Sequence, residues 1–347
     1  MVLNFNTLFP TLNKVDATGV IRTAPEDFNV TEINNVELSG SGEHLWLYLQ
    51  KIGSNTEWVA NKLANVCQVP RKQIGFAGMK DRHAITKQWF SIQLAKVSDI
   101  EAIQSALPDD VTVLKSDYHY KKIKIGQLES NHFEIVIRNI VGSADQIEQN
   151  IQNIIENGVP NYFGPQRFGH DLGNIQKCQD WFSGNYKVKS RNLKSLLIST
   201  SRSHIFNTIV AQRINNNTWN TAIDGDILQL DRSHSWFPIS DATPAEISKR
   251  LNEFDVHLTA AMYGEDGPQS TGECAELELS VASEFQVYQQ GFERFRLKQD
   301  RRAMRICAND FTFKWINNDL YLSFNLAPGS YATGVMREIL TISDHNG

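Results

Sequence analysis

The chain has 347 residues, 41% hydrophobic and 21% charged with a net charge of −5, an ordinary globular composition long enough for two domains or for one carrying an insertion. No run approaches the ~20 apolar residues of a membrane span, and Met1-Val2-Leu3-Asn4-Phe5-Asn6 lacks the basic segment and apolar core of a signal peptide, so a cytoplasmic location is expected. Cys67, Cys178, Cys274 and Cys307 are too far apart for a zinc knuckle or a redox pair, and the nine histidines form no His-x-x-x-His pair with a nearby acid, so no metal is expected.

In chain order, Val20-Ile21-Arg22 and Phe28–Ile33 read as short strands, and His44-Leu45-Trp46-Leu47-Tyr48-Leu49 as a strong one. Asn55 caps a predicted helix over 56–66, with Val59, Leu63 and Val66 at helical spacing. Pro70 opens a helical turn leading into the loop Gly75–Asp81, and Thr86–Leu94 reads as a half-buried strand. A helix at 98–106, strands at 111–125 and 132–140, and a helix over Asp145–Ile155 follow. Gly158–Gly169 is dense in glycine, proline and aromatics, which marks a rigid loop at a boundary. From about 172 to 300 the pattern is mainly helical, clearest over Leu193–Ile214, with a loop-rich stretch at Arg232–Glu276. Phe311–Trp315 and Leu320–Phe324 then flank Asn317-Asn318 as a hairpin, and a short helix runs through Met336–Leu340. Strands, then helices, then strands predict an α+β domain interrupted by an insertion.

Charge is distributed unevenly. Residues 51–100 carry eight Lys/Arg against three Asp/Glu, whereas 251–293 carry nine Asp/Glu and no Lys or Arg. Arg294, Arg296, Lys298, Arg301, Arg302 and Arg305 follow, either as a basic face for a polyanion or as partners of the acidic segment before them. The most informative stretch is Gly75-Phe76-Ala77-Gly78-Met79-Lys80-Asp81-Arg82-His83-Ala84-Ile85-Thr86, which sets Asp81 among Lys80, Arg82, His83 and Lys87. Neighbouring cations favour an ionised carboxylate, and a positive loop attracts phosphate. One loop can thereby bind a polyanion and present a carboxylate nucleophile to it. The small residues Gly75, Ala77 and Gly78 are expected to let another molecule approach the backbone.

The chain has no phosphate loop, dinucleotide fingerprint or Gly-x-Ser-x-Gly elbow. It has instead four loops that set a ring beside a small or amide residue: Pro25–Val30, Leu128–Phe133, Asn161–Gly169 and Gly329–Thr333. A ring stacks on a base while an amide reads its edge.

Phe76–Gln88 closely resembles the catalytic motif of the tRNA pseudouridine synthase D family. The resemblance extends to Pro25-Glu26-Asp27-Phe28, Gly42–Trp46, Asn161–Gly169, Ser201–Asn207 and Pro328–Glu338. It implies isomerisation of uridine 13 of certain tRNAs to pseudouridine. It also implies an α+β pseudouridine synthase mixed-sheet core (1–155 with 305–347), a large inserted α+β RNA-binding domain (156–304), and a cleft between them. In this likeness Asp81 is the nucleophile, and Phe28, Asn131 and Tyr331 fall where the family contacts substrate. Tyr331 keeps the ring of the usual phenylalanine and adds a hydroxyl. Phe133 stands where other pseudouridine synthases have a tyrosine. Arg22 and Arg337 are both candidates for the cation paired with Asp81, and Lys80 with Arg82 is expected to hold the RNA backbone.

The implied reaction breaks N1–C1′, turns the uracil and forms C5–C1′, so it needs no cofactor. The partner is tRNA, and a monomer with no membrane attachment is expected. Three rivals stand beside this reading: a non-catalytic RNA binder on the same fold, a hydrolase using Asp81 with His83, and a pseudouridine synthase acting on another RNA.

Overall fold

The computed structural model describes residues 4–94, 99–233, 235–239 and 243–344. The chain divides into two compact units, one of Asp16–Ile147, Ala308–Ala332 and Leu340–Gly347, the other of Met1–Val15, Glu148–Cys307 and Thr333–Ile339. The sequence expectation set 1–155 with 305–347 against 156–304; in the structure Met1–Val15, residues 148–155 and 305–307, and Thr333–Ile339 group with the middle segment. Among the described residues no helix is long and apolar enough to cross a membrane.

The first unit is built on a mixed sheet. Its strands are β1 (Thr18–Ile21), β2 (Phe28–Ile33), β3 (His44–Ile52), β4 (Ile74–Phe76), β5 (Ile85–Gln93), β6 (Val111–His119) and β7 (Ser130–Val141), with Asn309–Ile316, Asp319–Leu326 and Thr341–Asp344 from the C-terminal part. The order across it is Asn309–Ile316, Asp319–Leu326, β7, β2, β5, β3, β6; β1 joins at β7 and β4 at β5. β2 and β5 are parallel, as are β1 and Thr341–Asp344, while β7 is antiparallel to β2 and to Asp319–Leu326.

Period-2 alternation assigns the two faces of this sheet. Leu45, Leu47 and Leu49 of β3 join Phe90 and Ile92 of β5 in one core with Val59, Ala60 and Leu63 of helix Thr56–Val66. Full burial of each such side chain contributes roughly 1.5–3 kcal/mol. Trp46, on the opposite face, packs against Trp89, Ala77 and Ile123. Asn55 caps the helix as its sequence position predicts, its Oδ1 accepting from Trp58 N at 2.7 Å. The strand expected over 111–125 ends at His119, and residues 120–129 leave the sheet. The expected helix at 98–106 is seen over Ile100–Ala106; residue 98 lies outside the described residues.

The second unit centres on helix Arg191–Asn215. The stretch read as mainly helical also contains a four-stranded sheet: Trp236–Pro238, Ile227–Leu230, Val256–Met262 and Asp300–Ala303. The basic run 294–305 serves this sheet more than a solvated face. The Arg301 side chain is fully buried, with Nη2 2.7 Å from Glu278 Oε1 and Nε donating to Thr259 Oγ1 at 2.7 Å. Buried Arg305 donates to the carbonyls of Leu251 and Val256 at 2.9 and 3.0 Å. Lys298 pairs with Glu265 and Asp266 of the acidic segment.

Candidate active site

Asp81 lies in the connection from β4 to β5, which a polar network holds from below. Thr56, the first residue of helix Thr56–Val66, donates through Oγ1 to Gln88 Oε1 at 2.8 Å and accepts from Lys80 N at 2.9 Å. Gln88 Nε2 donates to Gly78 O at 3.2 Å. The ammonium of Lys51 donates to Asp81 O at 3.0 Å and to Ser54 O at 2.5 Å. Lys51 is fully buried, and burial lowers its pKa from 10.5 to about 8. The charges of Asp81 and Asp110 act against that shift, and that of Lys80 adds to it. Each loop carbonyl bonded in this way is a fixed point of the main chain, so the direction of the Asp81 side chain is set by buried groups.

The carboxylate itself is 44% exposed, with Oδ2 3.3 Å from Arg22 Nη2. Arg22 directly follows β1 in the left-handed region, φ 56°. Its side chain is only 9% exposed, it also pairs with Asp344, and its guanidinium sits 4.1 Å above the Phe28 ring centroid. Strand pairing accounts for this convergence: Ile21 is in register with Asp344, while β2, carrying Phe28, runs beside β5 at the end of the Asp81 loop. The other candidate cation, Arg337, is committed elsewhere. It donates to Asn6 Oδ1 at 2.9 Å and to the Phe9 carbonyl, and lies 5.1 and 5.3 Å from the ring centroids of Phe5 and Tyr162.

Lys80 does not face outward as the sequence reading expected. Its ammonium is 3.1 Å from Glu32 Oε2, with the two side chains 5% and 0% exposed. Burial pushes the Glu32 carboxyl up, opposed by the Lys80 charge and by hydrogen bonds from Lys80 and Trp89 N. The exposed basic residues of the loop are Arg82 and His83. Gly75 and Ala77 also serve the chain itself: a Cβ on Gly75 would stand 2.5 Å from Ile123 O, and Ala77 is buried. Gly78 alone of the three is open, with nothing within 4 Å of a Cβ there.

The aromatic candidates form a row on the sheet. Phe28 meets Phe133 edge-on at 6.3 Å, Phe133 stacks on Phe324 at 5.6 Å, and Phe324 stacks on Phe311 at 5.1 Å. Phe28 and Phe133 are buried. Asn131, two residues before Phe133 on β7, has a buried Oδ1 with no hydrogen-bond partner among the described residues. Tyr331 is 40% exposed just before helix Ala332–Arg337.

Other motif residues are structural. Asp27 is buried, takes the guanidinium of Arg138 at 2.6 Å and accepts from Ala24 N. In Asn161–Gly169 the rings of Tyr162, Phe163 and Phe168 are core residues, not stacking platforms, and Asn207 Nδ2 and Oδ1 bond both main-chain groups of Phe163 at 2.9 Å.

Sequence reasoning missed Lys51, Glu32, Thr56 and Gln88. A signal existed for two of them. Glu32 continues the alternation of Phe28 and Val30, and Lys51 that of Leu45, Leu47 and Leu49, so both lie on buried strand faces.

The mixed sheet and helical unit together have the fold of a pseudouridine synthase. They match the crystal structure of the putative tRNA pseudouridine synthase D from Methanosarcina mazei with a TM-score of 0.74 over 95% of both chains, at 22% identity. The sequence profile of tRNA pseudouridine synthase D matches residues 6–177 and 172–339. The tRNA pseudouridine synthase D of Hydrogenovibrio crunogenus is 43% identical over 94% of this chain and 93% of its own length. That of Methylococcus capsulatus is 36% identical over 94% and 92%. The chain belongs to the tRNA pseudouridine synthase D family.

Proposed function

We propose that this enzyme converts uridine 13 of its tRNA substrates to pseudouridine, with Asp81 as the nucleophile. The observation that carries the reading is the Asp81 carboxylate: half-exposed, paired with Arg22 at 3.3 Å and fixed through its own carbonyl by Lys51. The Arg22 guanidinium, 3.3 Å away, holds the carboxylate in place for attack. The uridine leaves its stack to reach Asp81. The carboxylate attacks C1′ of the ribose or C6 of the base, the N1–C1′ bond breaks, the uracil turns, C5–C1′ forms, and the bond to Asp81 breaks to return the free carboxylate. The proton lost from C5 and the one gained at N1 balance, so the product is an isomer and no redox partner or cofactor is needed.

Asn131 supports the reading as a base-edge contact, since its Oδ1, without a partner among the described residues, can accept from an imide N–H such as that of uracil. Phe28 and Phe133 set the apolar side of the site, and Tyr331 supplies an exposed ring. Arg22 and Lys80 act through Asp81 and its loop, and Arg337 braces the segment around Phe9. The family membership weighs against the hydrolase, and the paired carboxylate against a pure binder.

Mapping pseudouridines in RNA from cells lacking this gene tests the proposal. Loss confined to tRNA position 13 supports it. Loss at another RNA, with position 13 intact, moves the substrate elsewhere, and an unchanged map removes the activity.

A further inference from the structure

The segment that leaves β6 adjoins the Asp81 loop and has no part in the chemistry above. His119-Tyr120-Lys121-Lys122-Ile123-Lys124-Ile125-Gly126 contains three lysines and no acid. Its main chain is held at three points: Trp46 Nε1 donates to Lys121 O at 2.9 Å, Ile123 N to Ser91 Oγ at 2.9 Å, and Gly126 N to Ala77 O at 2.7 Å. Ile123 is buried, and the ammonium of Lys122 turns onto the Lys72 carbonyl. His119 packs edge-on against Trp46 at 5.2 Å, and the remaining side chains point outward from this fixed backbone. Tyr120 is 63% exposed and Ile125 76%, Lys121 and Lys124 are exposed, and Met79, two residues before Asp81, is 62% exposed. The Tyr120 hydroxyl is 2.9 Å from Ser41 Oγ.

Large apolar groups held out on a rigid backbone mark an interaction surface. Lysines interleaved with a ring select a polyanion that also carries flat apolar faces, which is single-stranded nucleic acid. A flipped uridine leaves its neighbours unstacked, so the surface beside the nucleophile has unpaired bases and their phosphates to hold.

Resting on the function proposed above, we propose that residues 119–126 with Met79 dock the tRNA strand flanking the target uridine, Lys121 and Lys124 taking phosphates and the Tyr120 ring an unpaired base. The experiment measures substrate tRNA binding across a salt series for the full-length protein. Lys121→Ala/Lys124→Ala is compared with a control of equal net charge, Lys62→Ala/Lys314→Ala. Loss of two phosphate contacts lowers the slope of log K against log salt by about two and weakens binding about tenfold near physiological salt. Tyr120→Ala weakens binding roughly five- to hundredfold, the value of one base–ring stack, and Tyr120→Phe restores it. A slope for Lys121→Ala/Lys124→Ala equal to that of the control, or Tyr120→Phe as weak as Tyr120→Ala, overturns the docking assignment while wild-type pseudouridine formation still stands. Wild-type protein that makes no pseudouridine in tRNA removes the underlying function and this inference with it.

Discussion

Arg22 Nη2 stands 3.3 Å from Asp81 Oδ2 while the same guanidinium covers the Phe28 ring at 4.1 Å. One buried cation therefore touches both the carboxylate and an aromatic wall of the site. Arg22→Ala removes the partner of Asp81 and lets the carboxylate shift. The expected result is a fall in kcat of about a hundredfold, the cost of misplacing a reacting group by ~1 Å. Arg22→Lys keeps the charge but not the planar contact with Phe28, so it recovers part of the loss. Single-turnover pseudouridine formation on substrate tRNA reads both.

Lys51 carries a pH signature. Its folded pKa, about 8, lies below its ordinary 10.5 because burial penalises the ammonium. Between those values the unfolded chain binds the extra proton, so Lys51 adds stability as pH rises through the window and opposes folding below it. Relative to Lys51→Met, wild-type protein should gain about 2–3 kcal/mol between pH 7 and pH 10.5. Urea unfolding of both proteins across that range measures the difference. The variant also frees the Asp81 carbonyl, so its kcat should fall more than its KM for tRNA rises.

Lys80→Ala distinguishes a buried ion pair from a phosphate contact. With Glu32 left unpaired inside the sheet, unfolding free energy should fall by about 3–5 kcal/mol. Glu32→Gln combined with Lys80→Met should be more stable than Lys80→Ala alone, because no buried charge remains. A lysine that served only the RNA backbone would leave thermal unfolding unchanged.

Gly75→Ala places a methyl 2.5 Å from Ile123 O and 2.6 Å from Ser91 Oγ. Overpacking of this kind costs about 1–3 kcal/mol. Gly78→Ala meets nothing within 4 Å and should unfold like wild type. Thermal melts of the two variants give the comparison.

Local pattern made much of the first unit legible. The β3 alternation, the Asn55 cap and the hairpin around Asn317-Asn318 each depend on residues close in sequence. The four-stranded sheet of the second unit was not legible. Its strand Val256–Met262 interrupts the apolar run with His257 and Thr259, whose polar groups are consumed by Arg305, Asp231 and Arg301 from distant segments. In the site, the identity of Asp81 came from its motif, but its partner did not. Arg22 and Arg337 are equivalent as residues, and only the tertiary structure, which sets Arg22 3.3 Å from Asp81 and Arg337 against Asn6 and Phe9, separates them. The inward turn of Lys80 likewise depends on Glu32, a strand away.

The central claim is that Asp81 is the nucleophile. Asp81→Asn replaces one oxygen by an amide at nearly constant volume, so fold and tRNA binding should persist. The direct measurement is single-turnover pseudouridine formation at position 13 of substrate tRNA by wild-type protein and Asp81→Asn at matched occupancy. The expected result is no detectable product from the variant with tRNA affinity close to wild type. Product at a near wild-type rate from Asp81→Asn contradicts the account.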